Sequence, residues 1–240
     1  MMKYELTSKS IELGDGTKIY QIRALRDFGD VKVGDLGGFI QSRDNLNASG
    51  DAWISGDARV SGNAHIFGDA SISGDAWIYG NARISGDAHI FGDAYIFGDA
   101  CISGNASISG DASISGNASI SGNAWIYENA RISRDARISG DARISGNAWV
   151  SGDAWIYENA RISGNARISG DDWEKSPLQI IGTKWEVNMK TKKILKIGCQ
   201  EHDLKYWRDN FDTIAEKYTE DQAVKDEYRM YIELACKLYL

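Results

Sequence analysis

Residues 51–74 read DAWISGDARVSGNAHIFGDASISG, which is one six-residue phrase written four times. The phrase is Asp or Asn, then Ala, any residue, Ile or Val, a polar or aromatic residue, and usually Gly. It recurs twenty times without insertion or deletion, and alanine occupies every sixth position from Ala52 to Ala166. Such a period decides the architecture of half the chain, because each copy must be one unit of a repeating structure.

Each copy of the phrase predicts a short strand followed by a turn. Ala52 and Ile54 are two residues apart and share a face of a strand, so they point inward while Trp53 points outward. The Gly-Asp or Gly-Asn pair that follows predicts a turn, since both residue types tolerate positive φ. A strand this short buries its face only when copies stack at roughly 4.8 Å. The pattern therefore predicts a solenoid of parallel strands with Ile over Ile and Ala over Ala.

The spacing Ile-x-x-x-Ala, as in ISGDAW, resembles the hexapeptide repeat of left-handed parallel β-helix proteins. The resemblance implies an all-β solenoid whose coil is a triangle of three hexads, and a left-handed winding. That family includes many acyltransferases, which are usually trimers. Fold resemblance does not carry function with it, so function has to be argued from the residues that vary.

The two ends of the chain carry a narrower resemblance. The segments IYQIRALRDFGDVKVGDLGGFIQSRDNL, residues 19–46, and ILKIGCQEHDLKYW, residues 194–207, resemble the leader and the tail of phage- and prophage-type hexapeptide proteins. Members of that group are described as transferases or polymer-forming proteins by analogy. Together the resemblances extend over nearly the whole chain, and they imply a phage or prophage accessory protein.

The N-terminal region, residues 1–44, is predicted to cap the solenoid. Residues 3–7 and 18–25 alternate as strands do, and GDGT between them predicts the turn of a hairpin. A cap is needed because the open end of a solenoid exposes strand edges and core. The β-helix itself is predicted over 45–173, with the hexad register beginning at Asn45, Leu46 and Ala48.

Residues 174–240 are predicted to form a small ββαα domain after the linker EKSPLQ. Helices are expected at about 203–217 and 220–238, and Thr219 with Gln222 fits a capping box for the second. The apolar stripe of that helix is expected to be Val224, Tyr228, Tyr231, Leu234, Ala235 and Leu238.

Composition narrows the classes of function. The net charge is −7 and the pI near 5.1, which argues against a general nucleic-acid binder. No apolar stretch approaches the length of a membrane span. Cys101, Cys199 and Cys236 are odd in number and lack metal-site spacing, so we expect a reduced cytoplasmic setting and no metal.

The outward position of each hexad carries the variation, and the eighteen-residue coil that the resemblance implies sorts these residues into three faces. Face one is Trp53, Ser71, His89, Ser107, Trp125, Arg143 and Arg161; face two is Arg59, Trp77, Tyr95, Ser113, Arg131, Trp149 and Arg167; face three is His65, Arg83, Cys101, Ser119, Arg137, Trp155 and Trp173. Neighbours within a face should lie one layer apart. Because each face mixes aromatic, basic and small residues, the faces are where a partner would be recognised.

Exposed Trp, Tyr and Arg in this number favour a binding surface, since interfaces are enriched in these residues. The candidate interface residues are Trp53, Trp77, Tyr95, Trp125, Arg131, Trp149, Trp155 and Arg167. On face two, Arg131, Trp149 and Arg167 predict a cation–π ladder. The alternative is that such ladders only stabilise the sheet.

One coil is bare on all three faces, where Ser107, Ser113 and Ser119 occupy the outward positions. The Ser coil, residues 103–121, lies between two aromatic bands. It is either a ligand groove, the line along which subunits approach, or a by-product of repeat duplication. Duplication has shaped this chain, because AWIYENARIS occurs identically at 124–133 and 154–163.

Histidines supply the candidates for catalysis. His65 and His89 occur in the near-identical phrases NAHIFGDA and DAHIFGDA but on different faces, and no loop breaks out of the twenty hexads. In the resembling acyltransferases a His acts as general base. Cys199 and His202 form a second candidate pair, with the Cys as nucleophile, or are simply packed at a strand–helix junction.

Glycine is missing from its corner position in three hexads, which carry Glu128, Arg134 and Glu158 instead. These side chains either contact a partner or show that the corner position does not require positive φ.

These observations favour a non-enzymatic, oligomeric binding protein, with a trimer implied by the resemblance. It would bind, inhibit or sequester a host protein or a small anionic ligand, without a cofactor. The first alternative is an acyltransferase that uses acetyl-CoA in a cleft between subunits, with His65 or His89 as base. The second alternative is a structural rod or scaffold, against which the capped ends argue.

Overall fold

The computed structural model describes residues 2–173 and 175–240, with Asp172 described by its backbone only. The chain forms a parallel β-solenoid of about seven turns. Antiparallel strands extend the solenoid at its N-terminal end, and a small four-stranded sheet with two helices follows it. The predicted all-β solenoid with an N-terminal β cap and a small C-terminal α/β region is confirmed, while the left-handed winding remains what the resemblance implies.

The N-terminal strands are β1 (Tyr4–Glu12), β2 (Lys18–Ala24) and β3 (Leu36–Ile40). The solenoid strands comprise one for each hexad and a last strand, β24, that follows the hexads: β4 (Trp53–Ile54), β5 (Arg59–Val60), β6 (His65–Ile66), β7 (Ser71–Ile72), β8 (Trp77–Ile78), β9 (Arg83–Ile84), β10 (His89–Ile90), β11 (Tyr95–Ile96), β12 (Cys101–Ile102), β13 (Ser107–Ile108), β14 (Ser113–Ile114), β15 (Ser119–Ile120), β16 (Trp125–Ile126), β17 (Arg131–Ile132), β18 (Arg137–Ile138), β19 (Arg143–Ile144), β20 (Trp149–Ser151), β21 (Trp155–Ile156), β22 (Arg161–Ile162), β23 (Arg167–Ser169) and β24 (Asp172–Trp173).

Every third solenoid strand joins the same parallel sheet, so the three predicted faces are three sheets. Pairing runs from one residue to the residue eighteen positions later, as in His89 opposite Ser107. The backbone N–H of an outward residue donates to an alanine carbonyl of the next layer, as from Trp53 to Ala70 at 2.9 Å. The strands are short, and these bonds between layers are what hold each one in place.

The core is a stack of alanine and isoleucine. Every repeat residue in these two slots from Ala52 to Ile168 is at most 1% exposed. Burial of each Ile side chain contributes about 1.5–3 kcal/mol. Eighteen Ile residues therefore make an adequate core for a solenoid whose interior is only as wide as a single coil.

The corner glycines all have left-handed backbone, as at Gly122 with φ of 67°. Three corners carry a side chain instead, and these residues keep the same backbone: Glu128, Arg134 and Glu158 have φ of 60°, 61° and 55°. The slot therefore demands positive φ whichever residue fills it. The alternative that the slot tolerates any backbone is wrong, and these three residues carry the strain of that conformation.

The turn Asn and Asp residues stack into ladders. The side-chain amide of Asn105 donates to Asn123 at 3.1 Å, and Asn123 donates to Asp141 at 2.9 Å in the next layer. An amide both donates and accepts, while a carboxylate only accepts, so an Asp ends such a run. The turn residues thus tie layers together in addition to being solvated.

The N-terminal strands extend one sheet of the solenoid and also cover its first coil, as predicted for a cap. β1 and β2 pair antiparallel, β2 pairs antiparallel with β3, and β3 pairs parallel with β5. The predicted strands are present, although β1 is longer than residues 3–7. Lys3 is fully buried in this cap, and its Nζ donates to the carbonyls of Ala52 at 2.8 Å and Gly50 at 3.2 Å.

The first coil is two residues longer than the others. Ile40 lies opposite Val60 and Leu46 opposite Ile66, a step of twenty residues, whereas the coils that follow have steps of eighteen until the last layer. Leu46 therefore fills an isoleucine slot, and the extra residues lie between it and Ile54. The predicted register at Asn45, Leu46 and Ala48 is wrong by two residues, because these two extra residues separate Leu46 from the regular hexads.

The last layer departs from the repeat in the opposite direction. Trp155 pairs with Asp172, and Ile156 pairs with Trp173, a step of seventeen residues. Trp173 consequently points inward, is 3% exposed and covers the end of the core. The prediction that Trp173 belongs to the outward residues of face three is wrong, because its bulk is used to close the solenoid.

The C-terminal region consists of β25 (Gln179–Ile181), β26 (Glu186–Met189), β27 (Ile194–Ile197) and β28 (Gln200–Asp203), an antiparallel meander, followed by α1 (Leu204–Ala215) and α2 (Gln222–Tyr239). Both predicted helices are present. Among the described residues, neither helix is both long and apolar enough to cross a membrane. The predicted boundary at residue 174 falls on a residue outside the described part of the chain.

Helix α2 differs from prediction in its cap and its apolar stripe. Asp221 is the N-cap and accepts from the N–H groups of Ala223 and Val224, so the capping box of Thr219 with Gln222 is wrong. The helix buries Tyr228, Ile232 and Ala235, whereas two residues of the predicted stripe are exposed, Leu234 and Leu238.

We expect Gly122→Ala to destabilise the protein more than Gly164→Ala. Both residues have similar positive φ, 67° and 63°, so both variants bear about 1 kcal/mol of backbone strain. A Cβ at Gly122 would also lie 2.8 Å from the backbone nitrogen of Gly140, whereas a Cβ at Gly164 meets nothing within 4 Å. Crowding of this kind adds about 1–3 kcal/mol. Urea unfolding of both variants measures the difference, and equal losses would contradict the layer-contact argument.

Stability should rise with pH between about 8 and 10 because of Lys3. Burial lowers the pKa of Lys3 from 10.5 to about 8. In that window the unfolded chain binds the proton that the folded chain has released, so the free energy of unfolding increases with pH by about 1–2 kcal/mol. The window closes near pH 10, since burial raises the pKa of Tyr4 to about 12 and the unfolded tyrosine ionises first.

Urea unfolding at several pH values measures this slope. The control is Lys3→Met, which keeps the buried apolar stem and removes the titrating group. In that variant the increase between pH 8 and 10 should disappear, and persistence of the slope would assign it to another group.

Candidate functional site

The C-terminal half of the solenoid carries a surface that we call the arginine–tryptophan band. It comprises the outward residues Trp125, Arg131, Arg137, Arg143, Trp149, Trp155, Arg161 and Arg167. The period places them on all three faces, because each is the variable residue of its hexad. The indoles are open to solvent: Trp125 is 49% exposed, and Trp149 and Trp155 are each 42% exposed.

Within the band, guanidinium groups lie over indole rings one layer away. Arg143 is 5.0 Å from the ring of Trp125 on face one, and Arg167 is 5.8 Å from that of Trp149 on face two. Of the predicted ladder of Arg131, Trp149 and Arg167, the contact between Arg167 and Trp149 is thus present. On its other side, the Nε1–H of Trp149 donates to the hydroxyl of Ser133 at 3.1 Å. The indoles are held in place and remain accessible.

The arginines of the band are not paired with acids. Among the described residues, no ion pair involves an arginine of the solenoid. Charge is also divided along the rod: residues 51–122 contain eight Asp and two Arg, whereas residues 123–170 contain six Arg against three Asp and two Glu. The band is therefore a basic and aromatic surface on an otherwise acidic protein.

The candidate interface residues of the N-terminal half are less accessible. Trp53 is 8% exposed because Phe28 of the cap packs against it edge to face at 5.4 Å. Trp77 is half-buried and packs against Tyr79 and Tyr95 at 5.6 and 5.5 Å. Tyr95 is exposed. The prediction that Trp53 is an outward contact residue is wrong, since the cap covers it.

The Ser coil forms a depression on face one. A groove of about 350 Å³ is bounded by Phe91 on one side and by Trp125 and Tyr127 on the other, with Ser107 at its base and Arg143 at its edge. Short side chains between aromatic walls leave room for one side chain of a partner. On this face the Ser coil is thus a groove, whatever the origin of its sequence.

His65 lies in a cleft of about 520 Å³ between the N-terminal cap and face three. Its Nδ1 is 2.7 Å from the backbone carbonyl of Asp44. Such a contact favours the tautomer in which Nδ1 carries the proton and Nε2 is free to accept one. Arg43 and Arg83 also line the cleft. The cleft lies where the first coil is longer, since Leu46 pairs with Ile66 on face three and the lining residues Asn47 and Ala48 follow it.

The other catalytic candidates do not assemble into a site. His89 is exposed on face one, between Ser71 and Ser107, so it lies on a different sheet from His65. His202 packs its ring against Tyr206 and Trp207. Among the described residues, no hydrogen bond joins His202 to Cys199.

A second cleft, of about 500 Å³, lies where the last coil meets the C-terminal region. Its walls are Tyr157, Trp173, Lys175, Ser176, Lys192, Leu238 and Tyr239. Neither this cleft nor that of His65 follows from the hexad period, since both lie where the period breaks. The signal that could have revealed them is the two-residue insertion after Leu46 and the end of the alanine series after Ala166.

Comparison with known proteins identifies the repeat region but does not assign the whole chain to a family. A family model described as the YdcK beta solenoid repeat matches residues 52–68, 76–92, 136–152, 142–158 and 160–174. These segments lie within the hexad region and cover less than half of the chain. No curated protein matches the chain. The protein is thus a β-solenoid repeat protein, similar in its hexads to the repeat that this family model describes.

Proposed function

We propose that this protein is a non-enzymatic, oligomeric binding protein whose arginine–tryptophan band contacts its partner. The observation that carries the proposal is the coexistence of open indoles with arginines that, among the described residues, form no ion pair. An exposed aromatic surface of this kind is typical of a surface covered by another molecule. Trp and Arg are also the residues that most often dominate the free energy of binding.

The chemistry of the band favours a partner with an acidic and partly apolar surface. A guanidinium group takes a carboxylate in a bidentate arrangement, and the arginines of the band are free to do so. The groove between Phe91 and Trp125 offers an apolar slot beside Arg143. The acidic half of the rod would repel the same partner, so the contact is confined to the C-terminal half.

Oligomerisation and partner binding use the same kind of surface. The band surrounds the rod, whereas a flat contact between two copies covers only one of its faces. A trimer, which the resemblance to hexapeptide proteins implies, would leave further band residues open. A host protein or an anionic ligand would occupy that remaining surface.

The double variant Trp149→Ser and Trp155→Ser should abolish the proposed interactions. Serine occupies the equivalent outward slot at Ser113 and Ser119, so the hexads accommodate it. Loss of two large indoles should reduce self-association or partner capture at least about tenfold, because such anchors contribute 2 kcal/mol or more each. Native mass spectrometry of protein purified from its host reports oligomer mass and retained partners together.

The matched control is Tyr95→Ser, on the same face as Trp149 and equally exposed, at 41% against 42%. It lies in the acidic half and should leave both properties unchanged. If the double variant retained both the oligomer and the partner, the band would not be the binding surface.

The orientation of His65 favours a second candidate function, acyl transfer from acetyl-CoA. An imidazole held by a backbone carbonyl presents Nε2 as a general base, and the cleft around it is large enough for part of a substrate. The cleft contributes no carboxylate to the imidazole itself. The unbroken hexads also lack a loop that would complete such a site.

For acyl transfer, His65→Ala should lower the rate of acetyl-CoA turnover by about 10²–10⁴-fold. His89→Ala is the control, since His89 lies on another face and should leave the rate unchanged. Release of free thiol from acetyl-CoA, with candidate acceptor amines present, measures the reaction. Equal rates for wild type and His65→Ala would eliminate this function.

A further inference from the structure

We propose that the cleft at His65 is a binding site for a small anion that carries an apolar group. The cleft is about 520 Å³ in volume, within the range of small-molecule sites. The proposal rests on the charges and the floor of the cleft. It is independent of the arginine–tryptophan band, and it holds whether or not His65 acts as a base.

Two arginines converge on this cleft. Arg43 and Arg83 line it beside His65, and among the described residues neither arginine takes part in an ion pair. Asp44 is the single acidic residue in its wall, and the Asp44 carbonyl already contacts the His65 ring. Two unpaired guanidinium groups facing one cavity favour an anionic occupant, for which they provide forked donors.

Lys3 adds positive charge to the wall of the cleft. Its side chain is buried, and its ammonium group donates to the backbone carbonyls of Gly50 and Ala52. Lys3 thus acts on the occupant through its charge, since its hydrogen bonds hold the first coil in place.

The acidic character of this half of the rod is interrupted at the cleft. The corners that precede face three carry Asn63 and Asn81, which are neutral and joined by a hydrogen bond of 3.2 Å. The corners that precede face two carry Asp57 and Asp75 at the same heights. The corners that precede face three therefore add no carboxylate to the cleft, so its acidic neighbours are Asp44 in the wall and Asp51 and Asp69, which act on Lys3.

The floor of the cleft is apolar. Leu46, Ile66 and Phe67 line it, and Phe67 is 38% exposed. An inorganic anion would leave this floor open to water, whereas an attached ring or alkyl group would cover it and remove its apolar surface from water, which favours binding. The occupant that satisfies both parts of the cleft is a phosphate or carboxylate joined to an apolar group.

Isothermal titration calorimetry of the full chain with phenyl phosphate and with inorganic phosphate tests the proposal. Phenyl phosphate should bind with a Kd below about 1 mM and at least roughly tenfold more tightly than inorganic phosphate. Benzoate, which keeps the ring and replaces the phosphate, should also bind, and this arm separates carboxylate from phosphate occupants. Absence of measurable heat for both ring-bearing anions up to about 10 mM would overturn the proposal.

Arg83→Ser should weaken phenyl phosphate binding by roughly tenfold. Arg59→Ser is the control, because Arg59 is an outward arginine of face two that neither lines this cleft nor belongs to the arginine–tryptophan band. Serine fills the outward slot of these two faces at Ser113 and Ser119, so both variants should fold, and their thermal unfolding verifies this. Equal affinity in wild type and Arg83→Ser, or equal losses in the two variants, would overturn the assignment to this cleft.

Discussion

The backbone hydrogen bond between layers is the interaction on which the rest of this structure depends. From Trp53 to Trp149, each outward residue donates to an alanine carbonyl one layer on, as Trp53 does to Ala70. These bonds form only when successive coils have the same length, because a strand of two residues is too short to pair in register otherwise. They also place Ile over Ile and impose positive φ at the corners. Glu158 adopts that backbone despite its side chain, which shows that the corner geometry overrides local preference.

Where the eighteen-residue step is broken, the molecule gains concave surface. The first coil advances by twenty residues and the last step is seventeen, and the two clefts of about 500 Å³ lie at these places. A regular solenoid has convex corners and flat faces, so irregularity is what makes room for a small ligand. The flat faces suit a different task, since the aromatic and basic side chains of the band present a broad surface to a macromolecule.

The candidate site was predictable only in part. The outward position of Trp149 and Trp155 follows from the period, because a residue between two inward residues must take the other face of a strand. Trp53 occupies the same slot and is buried, since Phe28 is brought over it by the cap. Trp173 was assigned to that slot and points inward, because one residue fewer in the last step reverses the side of the strand. Both errors arise from the ends, where the periodic argument no longer applies.

By itself the sequence determined the solenoid, the composition of its core and the position of its turns, and the resemblance to hexapeptide proteins added the three faces. The first three are local or periodic properties, so one hexad repeated twenty times is enough to define them. Only the tertiary structure decided which aromatic residues are accessible, which arginines form no ion pair among the described residues, and that His65 shares a cleft with Arg43 and Arg83. Those facts depend on how the cap folds back onto the first coil. Such contacts join residues far apart in the chain, and no period links them.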